Sequence, residues 1–399
     1  MRIIVIDGAK MTGVGGALRG REMALALRSL GHDIALRNAV NVVEHDLSGP
    51  RPPEAVILTG TWHQLLGGGD RALLALNAAC ESRGVPCLWW YGSNGSVWGS
   101  VHPDSAIRAA EKQKIINLIQ ARPFIGVICP YSRDIYEREG VARNKMRLIP
   151  SVFDADLFTP EQDDRDRHVS DRLRFDYQIP PGAFVLGTVG HCPSSKGSDD
   201  ILRAMALLRD EMPDLFYLVQ HTPLHNLNRV RAKSPDGKRE GKSEHDVVMD
   251  SLELAKTLGL SDRIRFLGMR RPRDSMPAFY RLLNAYCSPS KAENLGQPLV
   301  ESQLCGLPLV TFKGFSFDFV ACPFSAQQIL AEHTETDDYG LVIPFANPAD
   351  LVCAIRGARE KAESAEARAA TREWTTQRFG HQNAQTMVDA LVAYRRMIV

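Results

Sequence analysis

The chain lacks net charge. Its 399 residues carry 48 Lys and Arg against 47 Asp and Glu, a formal +1. Bulk electrostatics therefore offer a nucleic acid or other polyanion nothing to bind. There is no apolar run of the length, about 20 residues, that crosses a bilayer. The eight cysteines include no C-x-x-C pair, which removes the common zinc and redox motifs. Cys87, Cys129, Cys287 and Cys305 lie in apolar stretches and read as reduced core residues of a cytoplasmic protein. The opening apolar run, residues 1–6, is short and meets Asp7, so it reads as a strand and not a signal peptide. No short-period repeat is present, which excludes solenoids. The glycine loop Gly13-Val14-Gly15-Gly16 lacks the dinucleotide fingerprint: G-x-G-x-x-G needs glycine where Leu18 stands. A nicotinamide dehydrogenase is poorly supported for that reason.

What is present is alternation. The length suggests two domains, and 44% hydrophobic with 24% charged residues is ordinary for a globular chain. Short apolar strands alternate with helical periods, the sequence form of parallel βαβ units and an α/β fold. Residues 3–6 are followed by the glycine loop. A helix then covers 17–30, with Met23, Leu27 and Leu30 on one face and Gly31 closing it. Residues 55–58, 86–90, 126–129 and 146–149 are further strands. Residues 159–174 are charged and poor in apolar side chains, and read as a connection between domains. A second series follows: a strand at 184–189 and a helix from Ser198 with Ile201, Ala204, Met205 and Leu208 at helical spacing. Strands at 215–219, 264–267, 282–289 and 309–312 continue it, and 383–398 is a final amphipathic helix. The domains expected are 1–165, 166–380 and a helix over 381–399 returning to the first. Residues 225–245 carry Arg229, Arg231, Lys233, Lys238, Arg239 and Lys242 with few apolar partners. That composition suits a solvated excursion, or a flap near an anionic ligand.

The segment richest in chemistry is Glu293-Asn294-Leu295-Gly296-Gln297-Pro298-Leu299-Val300-Glu301. Two carboxylates bracket a glycine turn and a helix start. Pro298 suits the first helical position, and Gly306 followed by Pro308 suits the stop. Main-chain N–H groups of a helix start make an anion site. Glu293 on the loop can accept from hydroxyls, and Glu301 is expected near the first helical turn, where the dipole favours its charge. A diphosphate cradle beside two hydroxyl-binding carboxylates suits a sugar nucleotide.

Residues 288–310, SPSKAENLGQPLVESQLCGLPLV, closely resemble the donor-site signature (E-x7-E) of retaining glycosyltransferases of family 4. Gln297 and Pro298 stand where the pattern is often more apolar, and Ser302-Gln303 replace its usual small residues. Gly190-His191-Cys192-Pro193-Ser194-Ser195-Lys196-Gly197 is similar to the same family's glycine-to-Lys-Gly loop, with His191 where arginine is common. Tyr339-Gly340-Leu341-Val342-Ile343-Pro344 extends the likeness.

The resemblance implies a GT-B fold: two Rossmann-like β/α/β domains facing each other across a cleft. It makes Lys196 the ammonium that offsets charge on the leaving diphosphate, and Glu293 the group that contacts donor-sugar hydroxyls. Glu301 would hold the nucleotide ribose. Asn294, Leu295 and Gly296 would touch the donor through main chain, and Gly15 and Gly16 would approach its phosphates. His191 would serve as a hydrogen-bond donor, since imidazole lacks the arginine fork. No metal and no cofactor are implied. Asp154-Ala155-Asp156 matches the metal-binding D-x-D of other glycosyltransferases but reads as a turn.

The acceptor half is less defined. Residues 86–97 resemble a loop where histidine commonly precedes glycine; here Tyr91 precedes Gly92. Trp89 and Trp90 read as core. Trp62, His63, Tyr91, Asn94 and Trp98 are candidates to line an acceptor pocket, because aromatic faces stack on sugars.

The implied activity moves a hexose-type sugar from a UDP- or GDP-sugar to an acceptor hydroxyl on a glycan, a lipid-linked chain or a small natural product. A peripheral membrane contact stays open. Two other readings also stay open: a nucleotide-sugar epimerase or phosphorylase on the same scaffold, and a silent sugar-nucleotide-binding protein.

Overall fold

The computed structural model describes residues 1–7, 15–37, 46–60, 70–91, 105–160, 163–190, 196–221, 244–267, 273–291, 293–336 and 342–398. They form two compact units, one of Met1–Asp154 with Gln377–Val399, the other of Ala155–Thr376.

The first unit opens with β1 (Arg2–Asp7), α1 (Gly15–Ser29), β2 (Asp33–Arg37), β3 (Ala55–Gly60) and α2 (Asp70–Glu81). It continues with β4 (Cys87–Tyr91), α3 (Ser105–Gln120), β5 (Ile125–Val127), α4 (Pro130–Arg138) and β6 (Met146–Leu148). The strands pair in the order β2-β1-β3-β4-β5-β6, all parallel. Ile3 to Ile6 and Ala55 to Leu58 are wholly buried, as expected of parallel strands covered on both faces. Gly31, at φ +82°, closes α1, and the His32 N–H returns to the Leu27 carbonyl at 3.1 Å.

Trp89 and Trp90 are core residues. The indole of Trp89 donates to Asn77 Oδ1 at 3.1 Å and that of Trp90 to the Ile149 carbonyl at 2.8 Å. The Arg122 guanidinium lies 3.4 Å from a Trp89 ring centroid.

The second unit begins with a helix where a connection was expected. Within residues 159–174 lies the start of α5 (Asp164–Asp176), capped by Asp163, whose carboxylate accepts from the Asp166 N–H at 2.8 Å. Only Ser170 of this helix is buried, so no apolar period marks it. Polar contacts hold it instead: Arg281 pairs with Asp166 at 2.5 Å, and Arg174 donates to the Leu282 carbonyl at 3.0 Å.

Next come β7 (Phe184–Gly190), α6 (Ser198–Leu207), β8 (Leu215–His221), α7 (Glu244–Thr257), β9 (Ile264–Leu267) and α8 (Met276–Tyr280). They are followed by β10 (Ala285–Cys287), α9 (Gln297–Leu304), β11 (Leu309–Phe312), α10 (Phe317–Val320) and β12 (Gln327–Ile329). A parallel sheet of order β12-β11-β10-β7-β8-β9 results. The hairpin β13 (Ala331–Thr336) and β14 (Val342–Ala346) pairs antiparallel. Helix α11 (Pro348–Glu363) follows. Helix α12 (Ala365–Phe379) runs through the division between the units.

Helix α13 (Gln385–Ile398) belongs to the first unit. It buries Met387, Val388, Ala390, Leu391 and Tyr394, and the Tyr394 ring meets Phe124 edge-on at 5.2 Å. No helix among the described residues is long and apolar enough to cross a membrane.

Candidate functional site

The second unit brings together two loops that follow neighbouring parallel strands, β7 and β10. Open α/β sheets bind ligands beyond the carboxyl ends of their strands. Lys196 lies at the end of the first loop and Glu293 in the second. The Lys196 ammonium and a Glu293 carboxylate oxygen form a direct ion pair. Their side chains are 18% and 14% exposed, shielded enough to strengthen the pair and still reachable.

Two close approaches make this meeting possible. Gly197 sits at φ +79° against the next loop, where an added Cβ would lie 2.5 Å from the Pro289 carbonyl oxygen. The Lys196 stem folds over Gly190, where a Cβ would lie 2.8 Å from Lys196 Cγ. A side chain at either position would push the lysine off the strand end.

Both helices that follow these loops begin on a left-handed glycine with no side-chain cap: Gly197 for α6 and Gly296 for α9. Their electrostatics differ. The first turn of α6 carries Asp199 and Asp200, which offset its positive end, whereas that of α9 has no acid. The start of α9 is therefore the end that favours an anion. Pro298 lies in its first two positions. Leu295 is 2% exposed, so its side chain packs inward and only its main chain is open to a ligand. The Ser316 hydroxyl donates to the Glu293 carbonyl at 3.1 Å and pins the loop.

Glu301 lies just past the first turn, as expected. The helix starts at Gln297, which puts Glu301 in the second turn, and its side chain is almost buried. Tyr280 donates to Glu301 Oε2 at 2.7 Å. Burial, then the Glu301 charge, raises the Tyr280 phenol well above its usual range. Burial does the same for Tyr286, with the Glu293 charge adding to it. The Tyr286 hydroxyl accepts from the Val189 N–H at 3.1 Å, which ties β10 to the end of β7.

The unusual Ser302-Gln303 pair is structural. Gln303 is fully buried, donates to the Leu299 and Val320 carbonyls at 2.8 Å each, and accepts from the Cys322 N–H at 2.8 Å. Ser302 returns to the Leu299 carbonyl at 3.1 Å.

Residues 169–374 match the family model of glycosyl transferases group 1, just over half of the chain. The chain belongs to this family. Among curated relatives, a D-inositol 3-phosphate glycosyltransferase of Salinispora tropica is 30% identical over 178 residues, 44% of this chain and 34% of the relative. Mannosylfructose-phosphate synthase of Agrobacterium fabrum is 24% identical over 214 residues, 53% of this chain and 42% of that protein. The matched stretch thus spans about a third of the length of the first relatives.

The structure of Anabaena HepE in complex with UDP and glucose aligns at TM-score 0.67 and 16% identity, covering 98% of this chain and 100% of that one. The catalytic domain of Arabidopsis starch synthase IV, bound to ADP and acarbose, aligns at TM-score 0.65 and 10% identity, covering 100% and 99%. These neighbours share the two-domain α/β GT-B fold.

In this member of the group 1 family, then, Lys196, Glu293, Asn294, Leu295, Gly296 and Glu301 all lie in the second unit around two adjacent strand ends. Gly15 opens helix α1 of the first unit with Gly16 behind it. His191, Trp62, His63, Asn94 and Trp98 lie outside the described residues, as do Gly13, residues 225–243, residues 339–341 and the side chain of Tyr91. Residues 155–157 form a turn.

Tyr280, Tyr286 and Ser316 were missed by sequence reasoning. In apolar runs such as residues 276–287 a tyrosine reads as core; the available signal is that a buried phenol needs a polar partner.

Proposed function

We propose that this glycosyltransferase transfers a hexose-type sugar from a nucleoside diphosphate sugar, UDP- or GDP-linked, to an acceptor hydroxyl with retention at the anomeric carbon. The observation that carries the reading is the Lys196–Glu293 pair at adjacent strand ends, beside the start of α9, which has no side-chain cap and no acid in its first turn. A cation, a carboxylate and an anion-favouring helix end within one unit match the three parts of the donor: diphosphate, sugar hydroxyls and leaving charge.

In this reading the diphosphate lies at the start of α9, with Lys196 offsetting the charge that grows on it. Glu293 accepts from hydroxyls of the hexose, and Glu301 from those of the ribose. Among the described residues no side chain stands out as a nucleophile, and we favour front-side displacement. The bond from the anomeric carbon to the phosphate oxygen breaks, the acceptor oxygen bonds to the same face, and its proton passes to the departing phosphate. The protein contributes positioning and charge stabilisation. Lysine and main-chain dipoles serve in place of a metal. The names of the curated relatives support a polyol or sugar-phosphate acceptor as the first class to try.

A thermal-shift screen of UDP-, GDP-, ADP- and dTDP-sugars tests the donor, because a ligand bound by the native state raises its stability. NMR of the product then reads the anomeric configuration. No shift with any donor, or an inverted product, overturns the reading. Epimerised sugar or sugar phosphate formed without acceptor alcohol points to the epimerase or phosphorylase instead.

A further inference from the structure

Glu301 is a carboxylate carried almost fully out of water, and Tyr280 is a buried neutral group that donates to it. Tyr280 closes the five-residue helix α8 and is itself wholly buried. Its ring is clamped by Phe279 at 5.7 Å, Phe158 at 6.1 Å and Tyr286 at 6.1 Å. The ring cannot swing without displacing three aromatic neighbours, so the hydroxyl is held in one place. A phenylalanine would fill the same aromatic pocket. What the hydroxyl adds is its 2.7 Å bond to Glu301 Oε2. A neutral donor to a carboxylate gives one of the stronger classes of hydrogen bond, and it grows stronger away from water.

We propose that Tyr280 is a positioning residue for the donor nucleotide: by holding one oxygen of Glu301 it fixes the carboxylate in the direction that receives the ribose diol. This rests on the donor site assigned above. A carboxylate offers about four acceptor directions. With one of them taken by a clamped phenol, the plane of the group and the aim of the other lone pairs are set before the ligand arrives. The phenol stays protonated across the working range because burial and the Glu301 charge both oppose its ionisation. It therefore remains a donor and keeps Glu301 the acceptor. Tyr286, packed on Tyr280, also feels the Glu293 charge and grips Val189 at the end of β7. The consequence is selectivity at the sugar of the nucleotide, separate from the chemistry at the sugar transferred.

The test uses the full chain and its Tyr280→Phe and Glu301→Gln variants. Binding of UDP, GDP and ADP is measured beside that of the 2′-deoxy form of each. The ribose-to-deoxyribose affinity ratio is internal to each protein, so partial loss of folded material does not alter it. Wild type is expected to favour the ribose form about tenfold. Tyr280→Phe is expected to lose most of that preference and to raise donor KM by a similar factor while kcat stays within about threefold. Glu301→Gln should lose the preference too, and adding Tyr280→Phe to it should change nothing further.

A ribose preference that Glu301→Gln abolishes and Tyr280→Phe leaves intact overturns the role of Tyr280 alone. Failure of wild type to bind any of the three nucleotides overturns both this role and the donor site beneath it.

Discussion

Lys196 and Glu293 stand 97 residues apart in the chain, yet their side chains pair directly. Glycine at 190 leaves room for the Lys196 stem, and glycine at 197 lets the backbone beside the lysine lie against Pro289. Replacing Lys196 by Ala is expected to lower kcat about 10²- to 10³-fold with a smaller change in donor KM, since its charge matters most as the bond breaks. Glu293→Ala should lower the rate and blur discrimination between donor sugars. Because the two act on one ligand, the double variant should be far less impaired than the product of the single losses. Near-normal steady-state kinetics for either single variant would remove the assignment.

Gly197→Ala tests the approach of the two loops. The new Cβ meets the Pro289 carbonyl oxygen at 2.5 Å in a left-handed backbone. Strain of this kind costs about 1–3 kcal/mol, and relief requires the loop to move. Thermal melts should show the loss, and activity should fall further than stability, because Lys196 moves with the loop. Activity that tracks only the folded fraction would contradict that coupling.

Gln303→Leu keeps the volume and removes the amide. It leaves the Val320 carbonyl and the Cys322 N–H without the partner they have here. The expected cost is about 2–4 kcal/mol, read from denaturant unfolding of the second unit. A change under about 0.5 kcal/mol would mean that this buried bridge is replaceable.

The Asp214–Arg359 pair predicts a pH dependence. Arg359 forks onto Asp214 at 2.9 and 2.8 Å, and this bond holds the Asp214 carboxyl below its usual value of 3.8. A depressed carboxylate stabilises the fold above its unfolded value, and loses that contribution as pH falls through the folded one. Asp214→Asn should thus be less stable than wild type near neutrality. The gap should stay under about 1 kcal/mol for a pair this exposed, and close on acidification. Urea melts at pH 7 and near pH 3 measure it; a gap that widens in acid would reverse the sign.

Periodic burial was legible in the sequence. Residues 3–6 and 55–58 announce strands by unbroken apolar character, 184–189 by a mostly apolar run, and the spacing of Ile201, Ala204, Met205 and Leu208 announces their helix. Helix α5 was not legible, because Arg281 and a cap hold it where apolar side chains usually would. Of the site, the carboxylates and lysine could be named from local motifs, and Gly296-Gln297-Pro298 marked the helix start to within a residue. The environment of Glu301 could not be named. It depends on a tyrosine 21 positions earlier on another helix, and no local spacing encodes that contact.

The first unit is discontinuous: it needs residues 377–398 to cover Phe124 and its neighbours. During synthesis the half begun earliest must therefore be finished last. The ribosome has to release the entire second unit before helix α13 can dock. Deleting that helix would injure the first unit more than the second, and proteolysis of nascent chains would find the early half cleavable long after the later half resists.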